Sequence, residues 1–252
     1  MHPSARYYAE KFFFTYTKIP DYAKILEIGS LNVNGTLKDL CPKNANYIGV
    51  DFISGKGVDI VIDDPYKLPF ENDEFDVVLC SSVLEHSDFF WLLIIEMMRV
   101  LRPGGLLYIN APSNGYIHRY PVDSWRFYPD AGKSIVSWCK KNNIEANLLE
   151  SFLGSKLYEN INYDAWVDFV CIISKGQPEN FDGQRILNTI NEYSNAFCNK
   201  NGIDLNLNYE SLSVDYLEIN HLHKYIEICE EEIRSLKIKL ENINTKLPSN
   251  KL

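Results

Sequence analysis

The sequence predicts an α/β fold, a doubly wound and mostly parallel sheet, followed by a separate helix at the C-terminus. Three observations carry this. Short, nearly continuous runs of Val, Ile and Leu recur along the first two thirds of the chain, as strands buried on both faces of a parallel sheet require. Longer stretches of helical spacing alternate with those runs, the order that builds strand–helix–strand units. From Ile219 onward apolar residues recur at alternating steps of three and four, a different periodicity with a different packing consequence.

Residues 1–22 read as an N-terminal helical cap, aromatic on one side through Tyr7, Tyr8, Phe12, Phe13, Phe14 and Tyr16, with Pro20 as its stop. The strand runs then follow as AKILEIGS (23–30), YIGVDF (47–52), VDIVID (58–63), FDVVLCSS (75–82) and GLLYINAP (105–112). Phe89–Leu101 is the clearest intervening helix, and Pro103-Gly104-Gly105 turns the chain out of it. A further helix is expected from Pro129 to about Asn142, then two strands near 144–152 and 165–174, which close a domain over 23–175. Residues 176–213 are polar and Asn-rich and read as a connecting region with one short helix near Gln184–Phe197.

Residues 214–252 form the last segment. Ile219, Ile226, Ile233, Leu240 and Leu247 recur every seventh residue, and Leu222, Cys229, Leu236 and Ile243 fill the second apolar position. Such a seam buries itself against another helix, so a coiled coil and a homo-oligomer, a dimer by preference, are expected through 214–252. Glu230 and Arg234 make an i,i+4 pair on its outside. The alternative is a long helix packed on its own domain, whose stripe would drift over this length.

Composition narrows the function. The 252 residues are 46% hydrophobic and 23% charged, ordinary for a folded chain and enough for one large domain with an appendage. A net charge of −9 argues against nucleic acid or an anionic membrane as partner. The six cysteines contain no C-x-x-C pair, so neither a zinc nor a redox motif is expected. No signal-peptide run opens the chain, and Phe89–Leu101 is too short to span a bilayer and is broken by Glu96 and Arg99. A cytoplasmic protein with reduced thiols is the expectation. No cluster of Asp, Glu and His is legible as a metal site.

Candidate chemistry lies at the ends of the strand runs. Glu27-Ile28-Gly29-Ser30 ends the first, where open α/β sheets bind ligands and where glycine lets backbone approach one. The loop continues Leu31-Asn32-Val33-Asn34-Gly35 and is not the G-x-G-x-x-G turn that seats a dinucleotide pyrophosphate. Asp51 stands about twenty residues beyond Gly29, the place for an acid on ribose hydroxyls or equally for a helix cap. Asp63-Asp64-Pro65 offers an acid for an exocyclic amine, or a turn before proline.

In this order, the strings ILEIGS, GVDF, DDPYKLPFENDEFDVVLCSSVLEH and MMRVLRPGGLLYI resemble the class I S-adenosylmethionine-dependent methyltransferases, above all their methyltransferase type 11 group. The resemblance covers about residues 23–175. It implies a Rossmann-like, seven-stranded sheet whose last strand inserts antiparallel, with S-adenosylmethionine as cofactor and S-adenosylhomocysteine as product. It places Glu27 and Gly29 by the methionine part, Asp51 on both ribose hydroxyls and Asp64 on the adenine amine. Ser30, Asn34, Phe52, Asp63 and Ser81 complete the implied cofactor set. The chain departs from the family at Leu31, where a second glycine is usual. Asn32 and Asn34 are suited to make the turn instead, since Asn tolerates left-handed backbone.

His118-Arg119-Tyr120-Pro121-Val122-Asp123-Ser124-Trp125-Arg126-Phe127 resembles the H-x-x-P-x-D-x-x-R-F motif of a subset of these enzymes, often encoded with bacterial surface-polysaccharide genes. It follows the end of a central strand, where an acceptor belongs. Arg119 and Arg126 are suited to grip a phosphate or carboxylate, with Tyr120, Asp123 and Trp125 around them. The structural alternative pairs Asp123 with Arg126 to pin a lid and buries Trp125. His86 and His118 are the candidate general bases; with an acceptor already anionic, such as a phosphate or phosphoramidate oxygen, they orient it. The chain reads Cys80-Ser81-Ser82-Val83 where nitrogen methylation uses an N-P-P-Y motif. O-methylation of a small or glycan-linked, anionic acceptor in capsule or surface-polysaccharide synthesis is therefore the expectation. A non-catalytic scaffold working through its coiled coil, and a nicotinamide oxidoreductase, are the rivals.

Overall fold

The computed structural model describes residues 2–16, 22–155, 166–178, 183–200 and 203–244. The chain divides into two compact units, one up to Tyr209 and one from Glu210. Pro20 and Leu247, named above as helix stop and heptad residue, lie outside the described residues.

The first unit is built on one sheet. Its strands are β1 (Lys24–Ile28), β2 (Asn46–Asp51), β3 (Ile60–Val61), β4 (Phe75–Ser81), β5 (Leu101–Pro112), β6 (Ala146–Gly154), β7 (Asp168–Lys175), β8 (Tyr193–Lys200) and β9 (Ile203–Leu207). They lie in the order β3-β2-β1-β4-β5-β7-β6-β8-β9. Pairing is parallel from β3 to β5. β7 enters antiparallel between β5 and β6, as expected of the last strand of the Rossmann-like arrangement. Pro103, Gly104 and Gly105 lie within β5 as a bulge, since Phe75 pairs with Leu101 and Val77 with Leu106.

The count of seven strands needs correction, because the described residues form nine. The extra pair is β8 and β9, antiparallel to β6 and to each other. The short helix expected near Gln184–Phe197 is instead a single 3-10 turn, Ile186–Asn188, followed by β8. Ile186, Leu187 and Ile190 are all buried; their helix-like spacing comes from a turn that drops its apolar residues into the core. Glu150 explains why this polar stretch joins the sheet. Its carboxylate, wholly buried on β6, accepts the backbone N–H of Ile186 at 2.8 Å and of Leu187 at 3.2 Å, and the Tyr16 hydroxyl at 2.8 Å. Arg185 adds bonds to the carbonyls of Leu149, at 2.9 Å, and of Asn199. A buried carboxylate is tolerable only with donors of this kind.

Helices cover both faces. α1 (Pro3–Thr15) lays Tyr8, Ala9 and Phe12 into a cluster with Tyr108, Phe152, Val170 and Ile172. α2 (Phe90–Val100) buries Leu93, Ile94, Met97 and Met98. α3 (Ala131–Lys141) is tied to α2 by the Trp138 indole N–H donating to the Trp91 carbonyl at 2.9 Å. Gly132 of α3 faces Ser151 and Cys171, the alternate residues to Phe152 and Val170, so α3 and α1 take opposite faces.

The second unit is α4 (Val214–Asn244), one helix of 31 residues. Ile219, Leu222, Ile226, Cys229, Ile233, Leu236, Leu240 and Ile243 fall on one stripe of it. Among the described residues of this unit there is no second element to cover that stripe.

Gly154 is where α1 meets β6: a Cβ there would stand 2.1 Å from the Tyr8 hydroxyl oxygen and 2.4 Å from the ring. Gly154→Ala is expected to cost about 1–3 kcal/mol by overpacking, read as a lower denaturant midpoint. Removing the ring as well, in Tyr8→Ala/Gly154→Ala, should show a favourable coupling between the two changes.

Candidate active site

Parallel pairing sets the carboxyl ends of β1, β2, β4 and β5 on one edge. Gly29 follows β1 with φ +75°, and a Cβ on it would lie 2.3 Å from Val83 Cγ2. Both facts demand glycine. The Gly29 and Ser30 N–H groups donate to the Val50 carbonyl at 2.9 and 3.1 Å. Asp51, last in β2, accepts the Leu31 N–H at 3.1 Å and the Ile53 N–H at 3.2 Å. The missing second glycine is accommodated because Asn32, not Asn34, closes the loop: its Oδ1 accepts the Gly35 N–H at 2.9 Å. Asn34 is exposed.

This edge carries buried oxygens without hydrogen-bond partners. Glu27 Oε2, Ser30 Oγ and Ser81 Oγ are among them, and Glu27 is only 4% exposed. Such atoms call for an outside partner. Phe52, at 54% exposure, and Asp63 and Asp64 form the outer rim. The Ile62 N–H donates to the Asp51 carbonyl at 2.9 Å, which brings Asp63 and Asp64 alongside. Asp64 also makes the turn before Pro65, accepting the Tyr66 N–H at 2.8 Å.

Opposite lies the segment after β5, stitched down by backbone and ring bonds. The Ser124 N–H donates to the Glu85 carbonyl at 2.7 Å and the Phe127 N–H to the Pro112 carbonyl at 3.0 Å. The Trp125 indole donates to the Ser87 carbonyl at 2.8 Å and packs edge-on against Phe90. Asp123 holds the loop together. It accepts from both Arg126 Nη1, at 2.5 Å, and Nη2, at 2.9 Å, and takes the His118 N–H at 2.7 Å. The Arg126 guanidinium beside it keeps the Asp123 carboxyl well below the usual carboxylate range. Arg126 therefore serves the loop, and the expected two-arginine grip on an anion reduces to Arg119, which is exposed together with Tyr120.

The fold also assembles what the sequence did not announce. Glu85, 1% exposed, stands next to His86, and the segment after β5 folds His118 back over both. The two imidazoles meet edge-to-face with centroids 4.9 Å apart. Glu85 Oε1 is 3.8 Å from His86 Nε2, and Glu85 Oε2 has no hydrogen-bond partner. His86 Nδ1 donates to the Val122 carbonyl at 2.6 Å. Burial lowers the His86 pKa and raises that of Glu85 to about 8. Trp166 is a second unannounced residue, its ring centroid 4.9 Å from those of His118, edge-on, and of Tyr116, tilted. Glu85 had a signal, its place beside His86 in the LEH string; Trp166 had none.

Glu27 gives a pH test. Burial first, and the Asp51 charge second, push its pKa up to about 8, against an ordinary value of about 4.3 unfolded. Between those values the folded chain holds a proton that the unfolded chain has lost. This carboxyl therefore lowers stability as pH rises from about 4.5 to about 8. Glu27→Gln is expected to flatten that decline and raise the denaturant midpoint of the ligand-free chain at pH 8. An unchanged slope from pH 5 to 8 would mean that Glu27 is ionised throughout.

Residues 26–109 match the family described as "Methyltransferase domain". The phthiotriol/phenolphthiotriol dimycocerosates methyltransferase 1 of Mycobacterium ulcerans (strain Agy99) is 40% identical over 94 residues, 37% of this chain and 32% of that protein. The ubiquinone/menaquinone biosynthesis C-methyltransferase of Pseudomonas putida (strain GB-1) is 36% identical over 98 residues, 36% of this chain and 38% of that protein. The chain thus spans about a third of the length of these curated relatives. Among solved structures, the 1,6-didemethyltoxoflavin-N1-methyltransferase of Burkholderia thailandensis, crystallised with 1,6-didemethyltoxoflavin and S-adenosylhomocysteine, aligns over 69% of this chain and 79% of its own. It does so with 14% identity and a TM-score of 0.51. The architecture is the Rossmann-like methyltransferase fold, and residues 26–109 are the segment that matches the methyltransferase domain family.

Proposed function

We propose that this chain is an S-adenosylmethionine-dependent methyltransferase that methylates an oxygen of a small or glycan-linked, anionic acceptor. The observation that carries the cofactor reading is the edge of β1, β2 and β4. Its unpartnered Glu27 Oε2, Ser30 Oγ and Ser81 Oγ face the same loops as the Asp51 carboxylate. That set of carboxyl and hydroxyl groups suits a ligand bearing an ammonium and ribose hydroxyls. Glu27 and Ser30 would hold the amino-acid end, Asp51 the ribose with Phe52 beside it, and Asp63 or Asp64 the adenine amine.

When bound, the cofactor supplies a methyl group on a sulfonium whose thioether leaves neutral, so the site needs no acid for the leaving group. The chain's own work is to align the acceptor lone pair at roughly 3–3.5 Å and to exclude water. His86 Nδ1 is committed to the Val122 carbonyl, which leaves Nε2 to hold or take the acceptor's proton. Arg119 and Tyr120 stand at the rim for a negatively charged acceptor, and Trp125 and the Asp123–Arg126 pair position the segment that carries them. The reading as oxygen rather than carbon transfer rests on His86, His118 and Glu85 lying where the acceptor enters. Surface-polysaccharide synthesis, with a phosphoramidate or phosphate among its acceptors, rests on the likeness of residues 118–127 to the motif described above. α4 is the oligomerisation element in this reading, its heptad stripe pairing with a second copy to give a dimer. A cytoplasmic location with reduced thiols belongs to the same reading.

Calorimetric titration with S-adenosylmethionine, S-adenosylhomocysteine and NAD tests the reading. Binding of the first two alone is expected. Asp51→Ala should weaken both by about 1–3 kcal/mol, since ribose hydroxyls lose a charged acceptor. No binding of either would leave the chain a non-catalytic scaffold. Deleting residues 214–252 should lower the sedimenting mass and leave cofactor affinity intact; a truncated chain that sediments as the same oligomer ends the coiled-coil reading.

A further inference from the structure

We propose that Glu85, His86 and His118 form a site for a divalent transition-metal ion, whose open positions take the acceptor oxygen. One donor atom from each residue lies within 4.8 Å of the other two. Each histidine already has the support that metal-binding imidazoles use, a bond from the far ring nitrogen to a carbonyl or carboxylate. His86 Nδ1 is fixed on the Val122 carbonyl at 2.6 Å. His118 Nδ1 donates to the Tyr116 carbonyl at 3.4 Å, with Asp123 Oδ2 3.3 Å away. In both rings this reserves Nε2 for a further partner.

Glu85 supplies the independent observation. A carboxyl 1% exposed with one oxygen unpartnered is costly to ionise unless a cation compensates it. No Lys or Arg forms an ion pair with it among the described residues, and His86 Nε2 stands 3.8 Å from its other oxygen. A cation between the three would satisfy the carboxylate and explain its burial.

The donor set also selects the ion. Two imidazoles and one carboxylate suit zinc, manganese, iron(II), cobalt or nickel, whereas magnesium and calcium prefer shells of oxygen alone. Three protein ligands leave room for a substrate oxygen, the arrangement of working rather than structural sites. Donors bound at ~2.1 Å to one ion stand about 3.5 Å apart, so the group must tighten on binding. His118 is the ligand able to move, since it sits in the loop after β5 with a side chain 26% exposed.

The role of the ion rests on the oxygen-transfer reading above. With the ion bound, His86 Nε2 is its ligand rather than a base, and an acceptor hydroxyl on the ion loses its proton to solvent more easily. Its oxygen then forms a bond to the methyl carbon as the carbon–sulfur bond breaks, and that electron pair stays on sulfur. The sum is acceptor plus sulfonium cofactor giving methyl ether, thioether and one proton.

Cobalt(II) titration of the untagged, chelator-stripped full-length chain tests the site. The expected result is one ion per chain with visible ligand-field bands, displaced by zinc. His118→Ala and His86→Ala should each abolish the bands, and Asp123→Asn should weaken binding by about 10–100-fold. His221→Ala, in α4, should change nothing. Circular dichroism and S-adenosylhomocysteine titration on the same samples report whether each variant is folded. Absence of a stoichiometric ion, or bands that survive in a folded His86→Ala/His118→Ala chain, overturns the site. If cofactor product binds while cobalt does not, the metal site falls and the methyltransferase reading stands. If cobalt binds while the product does not, the site stands and the cofactor reading falls.

Discussion

The structure hangs on the parallel register of β1 against β2 and β4. With Ile28 opposite both Val50 and Cys80, three chain segments leave the sheet at the same level and in the same direction. Residues scattered over Glu27, Ser30, Asp51 and Ser81 therefore reach one edge without any of them attracting another. The cost is local: four acidic or hydroxyl groups crowd an edge where backbone takes up few of their bonds. Glu27 answers by keeping its proton near neutral pH.

A second knot orders the segment after β5. Asp123 binds Arg126 through both terminal nitrogens and catches the His118 N–H. A loop that would otherwise run free over the sheet edge is thereby folded onto the Glu85–Ser87 turn. Charge that looked available for an anion is spent on shape. What the loop delivers is a histidine, placed edge-to-face on another histidine and beside a buried carboxylate. Positioning by one ion pair makes the arrangement sensitive to single changes far from the reacting atoms.

Much of the fold was legible because buried parallel strands carry a one-dimensional signature. ILEIGS, GVDF and FDVVLC are mostly apolar rather than alternating, and Gly29 and Asp51 punctuate the ends of the first two. β8 and β9 were not legible, because they sit at the sheet's margin, β8 breaks its apolar residues with Ser and Asn, and the alternation of β9 lasts only five residues. Their place is decided by Glu150, whose three donors come from Tyr16, Ile186 and Leu187. No local pattern reports a carboxylate that is buried by partners 36 and 134 residues away.

From the sequence alone came the Rossmann-like core, the strand ends marked by Glu27, Gly29 and Asp51, and the heptad spacing of the helix beyond residue 214. All of these are periodic or local, and short-range physics writes them into neighbouring residues. Only the tertiary structure decided that Arg126 belongs to Asp123, that Asn32 replaces a glycine turn, and that Glu85 meets His86 and His118. Those outcomes depend on which distant segments the register brings within bonding distance, and that distance is set by packing rather than by spacing along the chain.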